Sequence, residues 1–381
     1  EIAEAVFDVL RHLRRYRHFA ESGTGPANQR LAILGIANTQ GSEVLKSVLN
    51  EHQQGWLQHA LSLDLSGVVP AIRYSMPDWL YEHLSALPES ESLMESLNQK
   101  APLDLRVNPL KTEREAVLPL LQNDETLANF KPEATPFSPW GIRLQGKPAI
   151  NRWELFSNGS LEVQDEGSQI LCMLVSPRRS DMVIDFCAGA GGKTLLLGAM
   201  MRSQGRLYAF DVSAARLAKA KPRLARSGLS NVTSVQIANE NDTRVKRLAG
   251  KAQRVLVDAP CSGMGTLRRN PDLKWRQTPE DLVELTQLQA RILQSAARCV
   301  APGGRLVYST CSLLPQENEQ QIEAFLAQNE DFELVPIEQV LGDRNPGLVG
   351  QGGMLKLRPD TQQTDGFFAA VLERRKTVVE K

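Results

Sequence analysis

The sequence has no surplus of either charge. Its 381 residues carry 44 Lys+Arg and 44 Asp+Glu, a formal net charge of zero. Bulk electrostatics therefore neither requires nor excludes a nucleic-acid partner, and any basic surface must be local. Paired cysteines are lacking too. Five are present, an odd number with no C-x-x-C spacing, which argues against both a disulfide framework and a zinc knuckle. No apolar run approaches the ~20 residues of a membrane span, and no charged-then-apolar leader, repeat or low-complexity segment appears. These absences set the expectation of a soluble, cytoplasmic, reducing setting, a monomer, no membrane and no metal. The chain opens on Glu1 rather than Met, so residues are expected to be missing from its natural N-terminus. Length is what the chain has in excess, being too great for one core, and two or three domains are expected.

The most informative stretch is Met182-Val-Ile-Asp-Phe-Cys-Ala-Gly-Ala-Gly-Gly-Lys-Thr194. Met182 to Ile184 read as a buried strand closed by Asp185. Gly189, Gly191 and Gly192 permit a tight turn that backbone can bring close to a ligand, and a helix follows Lys193. A strand, glycine turn and helix N-terminus make a nucleotide-type site at the carboxyl edge of an α/β sheet. A P-loop fails because Cys187 holds its first glycine position, and Gly-x-Gly-x-x-Gly is only half present. S-adenosylmethionine, which has no phosphates, needs only the short turn. The second strand, Arg206 to Asp211, ends in an acid ~20 residues on, where a carboxylate can take both ribose hydroxyls.

Residues 1–74 read as helices, with Ile2, Val6, Val9, Leu10 and Leu13 at helical spacing. The interleaved Arg11, Arg14, Arg15 and Arg17 read as a solvated face rather than an RNA contact. Residues 75–159 read as a small α+β module. It has strands at Leu103–Val107 and Gly141–Leu144, and a capping box, Thr112-Glu-Arg-Glu115, opening a helix through Leu121. From 160 to 381 strand and helix alternate as in a doubly wound sheet. Strands are expected at Met182–Cys187, Leu207–Val212, Val232–Ala238, Arg254–Ala259, Arg305–Thr310, Phe332–Ile337 and Phe367–Leu372. Thr278 caps a helix that starts at Pro279 and buries Leu282, Leu285, Leu288, Ile292 and Ala296.

Cys261 and Cys311 each lie just beyond the carboxyl end of a parallel strand, in Asp258-Ala-Pro-Cys261 and Thr310-Cys-Ser312. If those strands are neighbours, ~4.8 Å apart, both thiols can face one pocket. One such cysteine is ordinarily a core residue. Two, with Asp258 alongside and a cofactor loop upstream, point to chemistry. Residue chemistry alone leaves open which thiol attacks.

Asp185-x-Cys-Ala-x-x-Gly-Gly-Lys-Thr194, Asp258-Ala-Pro-Cys-Ser-Gly263, Arg269-Asn-Pro-Asp-Leu-Lys-Trp275, Thr310-Cys-Ser312 and Asp365-Gly-Phe-Phe368 occur in that order. This run, with Leu105-Arg106-Val-Asn108 and Val163 to Ser168 upstream, resembles the RNA cytosine-5 methyltransferases of the Sun/Fmu class. Those are bacterial ribosomal enzymes related to the NOL1/NOP2/SUN proteins. The resemblance implies a Rossmann-like class I methyltransferase domain after an RRM-like α+β module and an N-terminal NusB-like helical domain. It implies cofactor contacts at Cys187, Ala188, Gly189, Ala190, Gly191, Gly192, Lys193, Asp211, Arg216, Asn239 and Asp258. It makes Cys311 the nucleophile and Cys261 the helper that assists release. Ala190 stands where the family usually has proline, a change expected to loosen the loop. Asn239 stands where an aspartate normally approaches the adenine.

The chemistry accounts for these residue types. Cytosine C5 is a weak nucleophile, and thiolate addition at C6 makes it enamine-like. A free thiol has pKa about 8.5, so the site must favour thiolate. Asp258 is expected to hold the ring at N3 or the exocyclic amine; donating to N3 would call on burial to raise its pKa. The target must be single-stranded or flipped out. RNA contacts are expected from Arg268, Arg269, Lys274 and Arg106, with Trp275 as a buried anchor. The expected activity is S-adenosylmethionine-dependent RNA (cytosine-5) methylation, on ribosomal RNA. A non-catalytic RNA-binding assembly protein would not need both thiols. A DNA cytosine methyltransferase would lack Thr310-Cys-Ser312 and Asp365-Gly-Phe-Phe368.

Overall fold

The computed structural model describes residues 1–342, 345, 348 and 350–376. Helices of eight or more residues and all strands are numbered here in chain order. The chain forms two compact units, Glu1–Ala101 with Ser262–Leu282, and Pro102–Cys261 with Val283–Lys381.

The first unit is helical. It contains α1 (Ile2–Ala20), α2 (Ala27–Gln40), α3 (Glu51–Ser62), α4 (Asp78–Ser85) and α5 (Ser90–Leu97). Tyr16, Leu34, Trp56, Leu57 and Ala60 form its core, in keeping with the helical spacing of the sequence. The arginines of α1 depart from the solvated face expected of them. Arg11 is buried, Arg14 donates to Met76 O at 2.8 Å and to Asp78 Oδ1 at 2.6 Å, and Arg15 donates to Arg73 O. Only Arg17 of the four is exposed. Three of the guanidiniums therefore satisfy carbonyls and a carboxylate within the unit, which helical spacing alone does not reveal.

The second unit carries two sheets. Strands β1 (Leu103–Val107), β2 (Glu133–Ala134), β3 (Gly141–Leu144) and β4 (Leu161–Val163) form an antiparallel sheet in the order β2-β3-β1-β4. Helix α6 (Arg114–Asn123) packs Val117 and Leu121 against Leu105, Val107, Ile142 and Leu144. The expected capping box does not form: α6 starts after Glu113 with no side-chain cap. Buried Arg143 is held by Asp104 at 2.7 and 2.8 Å.

The larger sheet has the order β10-β12-β9-β8-β5-β6-β7. Its strands are β5 (Met182–Asp185), β6 (Arg206–Asp211), β7 (Val232–Gln236), β8 (Ala252–Asp258), β9 (Val300–Thr310), β10 (Phe332–Val335) and β12 (Phe367–Arg374). Short β11 (Leu355–Leu357) pairs with β12. This is the expected Rossmann-like sheet, parallel through β7-β6-β5-β8-β9 with antiparallel β12 beside β9. Successive β12 residues feed opposite cores: Phe368, Ala370 and Leu372 one, Phe367, Ala369 and Val371 the other. Two-sided burial is why β12 reads as an uninterrupted apolar run. Helices α7 (Glu166–Val175), α8 (Gly192–Met200), α9 (Ala214–Ser227), α10 (Pro279–Cys299) and α11 (Glu319–Gln328) complete the layers. Thr278 and Asp281 cap α10 reciprocally. The chain order places β5 between β6 and β8, the switch point where open α/β sheets bind ligands.

Candidate active site

The glycine turn between β5 and α8 is built by φ values of +55° at Gly189 and +80° at Gly191, a region where side chains are strained. A Cβ added at Gly189 would meet no atom within 4 Å, so the turn faces open space. At the end of β6 the buried Asp211 carboxylate accepts from Gly189 N (2.8 Å) and Ser213 N (2.7 Å). These bonds fix its orientation, and each oxygen keeps a lone pair for a ligand hydroxyl. The turn and the acid together fit S-adenosylmethionine.

Arg223 donates to Ala190 O at 2.7 Å, Gly191 N donates to Ala188 O at 2.9 Å, and Ala188 N donates to Phe210 O at 2.8 Å. These bonds tether the loop on both sides of Ala190. Arg106 adds another: it is fully buried in β1 and donates to Gly192 O at 2.9 Å and to Gln164. Its expected RNA contact is corrected accordingly, because a guanidinium sealed in the interior braces the turn instead. Exposed Arg216 sits in the first turn of α9. Asn239 is exposed, and its Oδ1 accepts from Asn241 N at 2.9 Å, a local turn that already uses the oxygen expected to face the adenine.

Strands β8 and β9 are parallel neighbours, with Asp258 opposite Ser309. The condition for a shared pocket is thus met, and Cys261 Sγ lies 3.2 Å from Cys311 Sγ. The hydrogen bond to Cys311, together with burial, pushes the Cys261 thiol well above its usual range. Either thiol can donate to the other across this contact. Burial also raises the Cys187 thiol, and its side chain packs against the core beside the turn.

Lys193 donates to Asp258 Oδ2 at 2.7 Å. Burial alone would lower the Lys193 pKa, but the charge and hydrogen bond of Asp258 raise it. The Asp258 side chain is 30% exposed, and its Oδ2 is held by the Lys193 ammonium. Beneath Lys193, Asp185 accepts from Thr194 Oγ1 at 2.6 Å, and burial pushes its pKa up to about 7.

Several supports were not anticipated from sequence. Gln289 of α10 donates to Pro260 O (2.9 Å) and to buried Glu317 (3.0 Å), holding the segment before Cys261. Asn318 accepts from Thr310 Oγ1 and donates to Ser312 O at 3.0 Å, bracketing Cys311 on both sides. A glutamine on an otherwise apolar helix stripe was the available signal for the first.

The remaining predicted RNA contacts belong to the helical unit. Lys274 is buried, its ammonium donating to Arg11 O and Asn98 Oδ1, both at 2.7 Å. Arg268 is buried, with its carbonyl accepting from Arg11 at 2.9 Å. Both therefore pack the 262–282 segment onto α1 rather than presenting charge outward. Trp275 is the expected anchor, donating Nε1–H to Leu10 O at 2.7 Å, while Arg269 is half-buried. No group of three or more His, Cys, Asp or Glu side chains among the described residues could hold a metal ion, and no helix among them is long and apolar enough to cross a membrane.

The family profile described as 16S rRNA methyltransferase RsmB/F matches residues 172–373, and an RsmF/B-like ferredoxin-like domain matches residues 76–151. A probable ribosomal RNA small subunit methyltransferase B from Synechocystis is 39% identical over 339 residues, 87% of this chain and 74% of the relative. The crystal structure of PH0851 superimposes with a TM-score of 0.77 at 26% identity, covering 98% of this chain and 89% of that one. A methyltransferase homologue from Pyrococcus horikoshii gives a TM-score of 0.68 at 28% identity, covering 82% of this chain and all 100% of that one.

Proposed function

The chain belongs to the 16S rRNA methyltransferase RsmB/F family, and from that premise we propose that it methylates C5 of a cytidine in small-subunit ribosomal RNA. The observation that carries this reading is the thiol pair, 3.2 Å apart on adjacent strand ends. S-adenosylmethionine, when bound, supplies an electrophilic methyl group on a sulfonium. The glycine turn and Asp211 would hold it. Cys311, which matches the family's nucleophile, adds as thiolate to C6 of the base and pushes the C5–C6 π pair toward C5. Asp258, oriented by Lys193, accepts from the exocyclic amine and fixes the ring. After C5 has been methylated, its proton passes to solvent water, the C–H electron pair re-forms the C5–C6 double bond, and the C6–S bond breaks. The departing Cys311 thiolate is then received by the Cys261 S–H, which stabilises the leaving charge at the moment it forms.

The same proposal has the chain acting as a cytoplasmic monomer without metal. Its parts are a helical region over 1–74, a small α+β module over 75–159 and a methyltransferase domain over 160–381.

Tritium-methyl transfer to small-subunit RNA, followed by bisulfite sequencing, tests the reaction. Cys311→Ala is expected to form no covalent adduct. Cys261→Ala is expected to methylate and then stall as a protein–RNA adduct that runs slowly on a denaturing gel. An adduct from Cys311→Ala but none from Cys261→Ala would reverse the roles. Activity surviving in both would remove thiol addition from the mechanism.

A further inference from the structure

A cleft of about 650 Å³ opens in the second unit away from the thiols. It is lined by the carboxyl ends of α7 and α8, by the Thr135–Trp140 loop and by Arg114 at the start of α6. The glycine turn lies at the opposite end of α8, so roughly one helix length, ~13 Å, separates the cleft from the cofactor edge. The volume is within the range of sites that hold nucleotide-sized ligands. Its walls combine the half-buried faces of Trp140 and Phe137 with Met173 and Met200, and its charges are Arg114 and Arg202. Among the described residues no carboxylate side chain lines it, in a chain whose acids and bases are equal in number. Arg178 and Arg179, both exposed, follow directly on the lining residue Pro177.

Two lining residues, Ser176 and Arg202, hold φ of +46° and +54°. Side-chain-bearing residues persist in that region only where the surrounding structure imposes it. Arg202 commits one guanidinium nitrogen to Pro109 O at 2.9 Å. That single bond aims the group and leaves its other donors for a ligand.

Basic residues also lie between this cleft and the cofactor edge. Helix α9 begins just past Asp211, and its 14 residues include five Lys or Arg. Arg216, Lys219 and Lys221 are exposed, while Arg223 and Arg226 both pair with Glu162. At the far end Lys111 donates to Arg226 O at 2.6 Å, and Lys111 lies two residues from the Pro109 that Arg202 grips. Exposed positive charge thus sits at the cofactor end of α9, and Arg202 supplies it beside the aromatic faces of the pocket. Aromatic platforms beside a basic groove are how single-stranded nucleic acid is held without base-specific hydrogen bonds.

We propose that this cleft is a second RNA-docking site, which stacks an unpaired base against Trp140 and Phe137 and takes its flanking phosphate on Arg202. The site would grip substrate RNA at a distance from the target cytidine. This inference rests on the RNA-methyltransferase reading, and the two can fail separately.

The test measures methyl-transfer kinetics, and the binding of a short fluorescein-labelled single-stranded oligoribonucleotide, in wild type, Arg202→Glu and Arg202→Lys. Arg202→Glu is expected to raise KM for RNA and weaken oligonucleotide binding by about tenfold. It should also reduce the slope of log affinity against log salt by about one. S-adenosylmethionine affinity should not change. Arg202→Lys should recover most of the loss, because it keeps the charge. If wild type methylates RNA while KM, oligonucleotide affinity and salt slope are unmoved in Arg202→Glu, the cleft is not a docking site. If wild type methylates no RNA, the functional reading falls first. Bromouridine-substituted RNA that crosslinks to the Thr135–Trp140 loop would support the site without any substitution, and crosslinks confined to other segments would overturn it.

Discussion

Lys193 in the catalytic unit and Lys274 in the helical unit are both removed from water, and their surroundings push them in opposite directions. Lys193 meets a carboxylate, Asp258, and its pKa rises despite burial. Lys274 meets a carbonyl, an amide oxygen and the face of Trp275, with Arg15 and Arg11 nearby. Burial, and then those like charges, lower its pKa far below the ordinary lysine value. The comparison shows that burial does not by itself decide the charge of a lysine; the available acceptor does. At Lys193 the cation is paired with a carboxylate. At Lys274 the amine is held by uncharged acceptors.

The largest expected effect comes from breaking the paired side. Lys193→Met should cut methyl transfer by about 10²–10³-fold, the usual cost of losing one aimed electrostatic group. The folding midpoint should move little, since Asp258 is partly open to solvent. A loss of less than tenfold in a steady-state assay would make Lys193 a strut rather than part of the site.

The pH dependence sharpens the comparison further, because buried groups in the two units have stability slopes of opposite sign. Burial, reinforced by Arg15, Lys274 and Arg11, lowers His12 from 6.5 to about 3. The unfolded chain then takes up the proton first, so this contribution to stability is lost as pH falls below about 6.5. Asp185 is raised from 3.8 to about 7. The folded state keeps its proton longer, so this contribution is present at low pH and lost as pH rises through that window. Thermal unfolding of Asp185→Asn should therefore show a gain over wild type that is larger at pH 8 than at pH 5, on the order of 2 kcal/mol at most. His12→Gln should compare best with wild type at pH 5. Parallel pH curves for wild type and variants would remove these groups from the account.

The smallest effect tests the lysine held by uncharged acceptors. Lys274→Met keeps the stem of the side chain but orphans Arg11 O and Asn98 Oδ1. A loss of about 1–2 kcal/mol in urea unfolding is expected, typical of buried acceptors left unpaired. A gain would mean that the amine is buried as a charge.

Much of this was legible in the sequence because pattern and chemistry agreed. Strands Leu103–Val107 and Gly141–Leu144 were read to the residue, since alternation and turn residues bound them closely. The thiol pocket followed from two cysteines at matching strand ends. Strand β9 was read too short. Ala301-Pro-Gly-Gly304 looks like a turn, yet the pairing extends to Ala252 and Val300 across a register shift. Strands β2, β4 and β11, of two or three residues, carry too little periodicity to be seen. The basic residues were the weakest reading. Arg106 lies in a strand buried on both faces, and Lys274 and Arg268 follow a cysteine motif in a segment that looks like a surface loop. Sequence records their charge but not the carbonyls that wait for them.

The chain leaves the catalytic unit after Cys261, passes through the helical unit from Ser262 to Leu282, and returns at Val283. The N-terminal helices are therefore not a detachable bead on a string. Removing them would strip Lys274 and Trp275 of their partners on α1 and leave a buried lysine and an indole facing water, a short way downstream of Cys261. A lineage could not shed or exchange this N-terminal part without rewriting residues far away in sequence. Inheritance of the two units is expected to be linked, however modular their folds look.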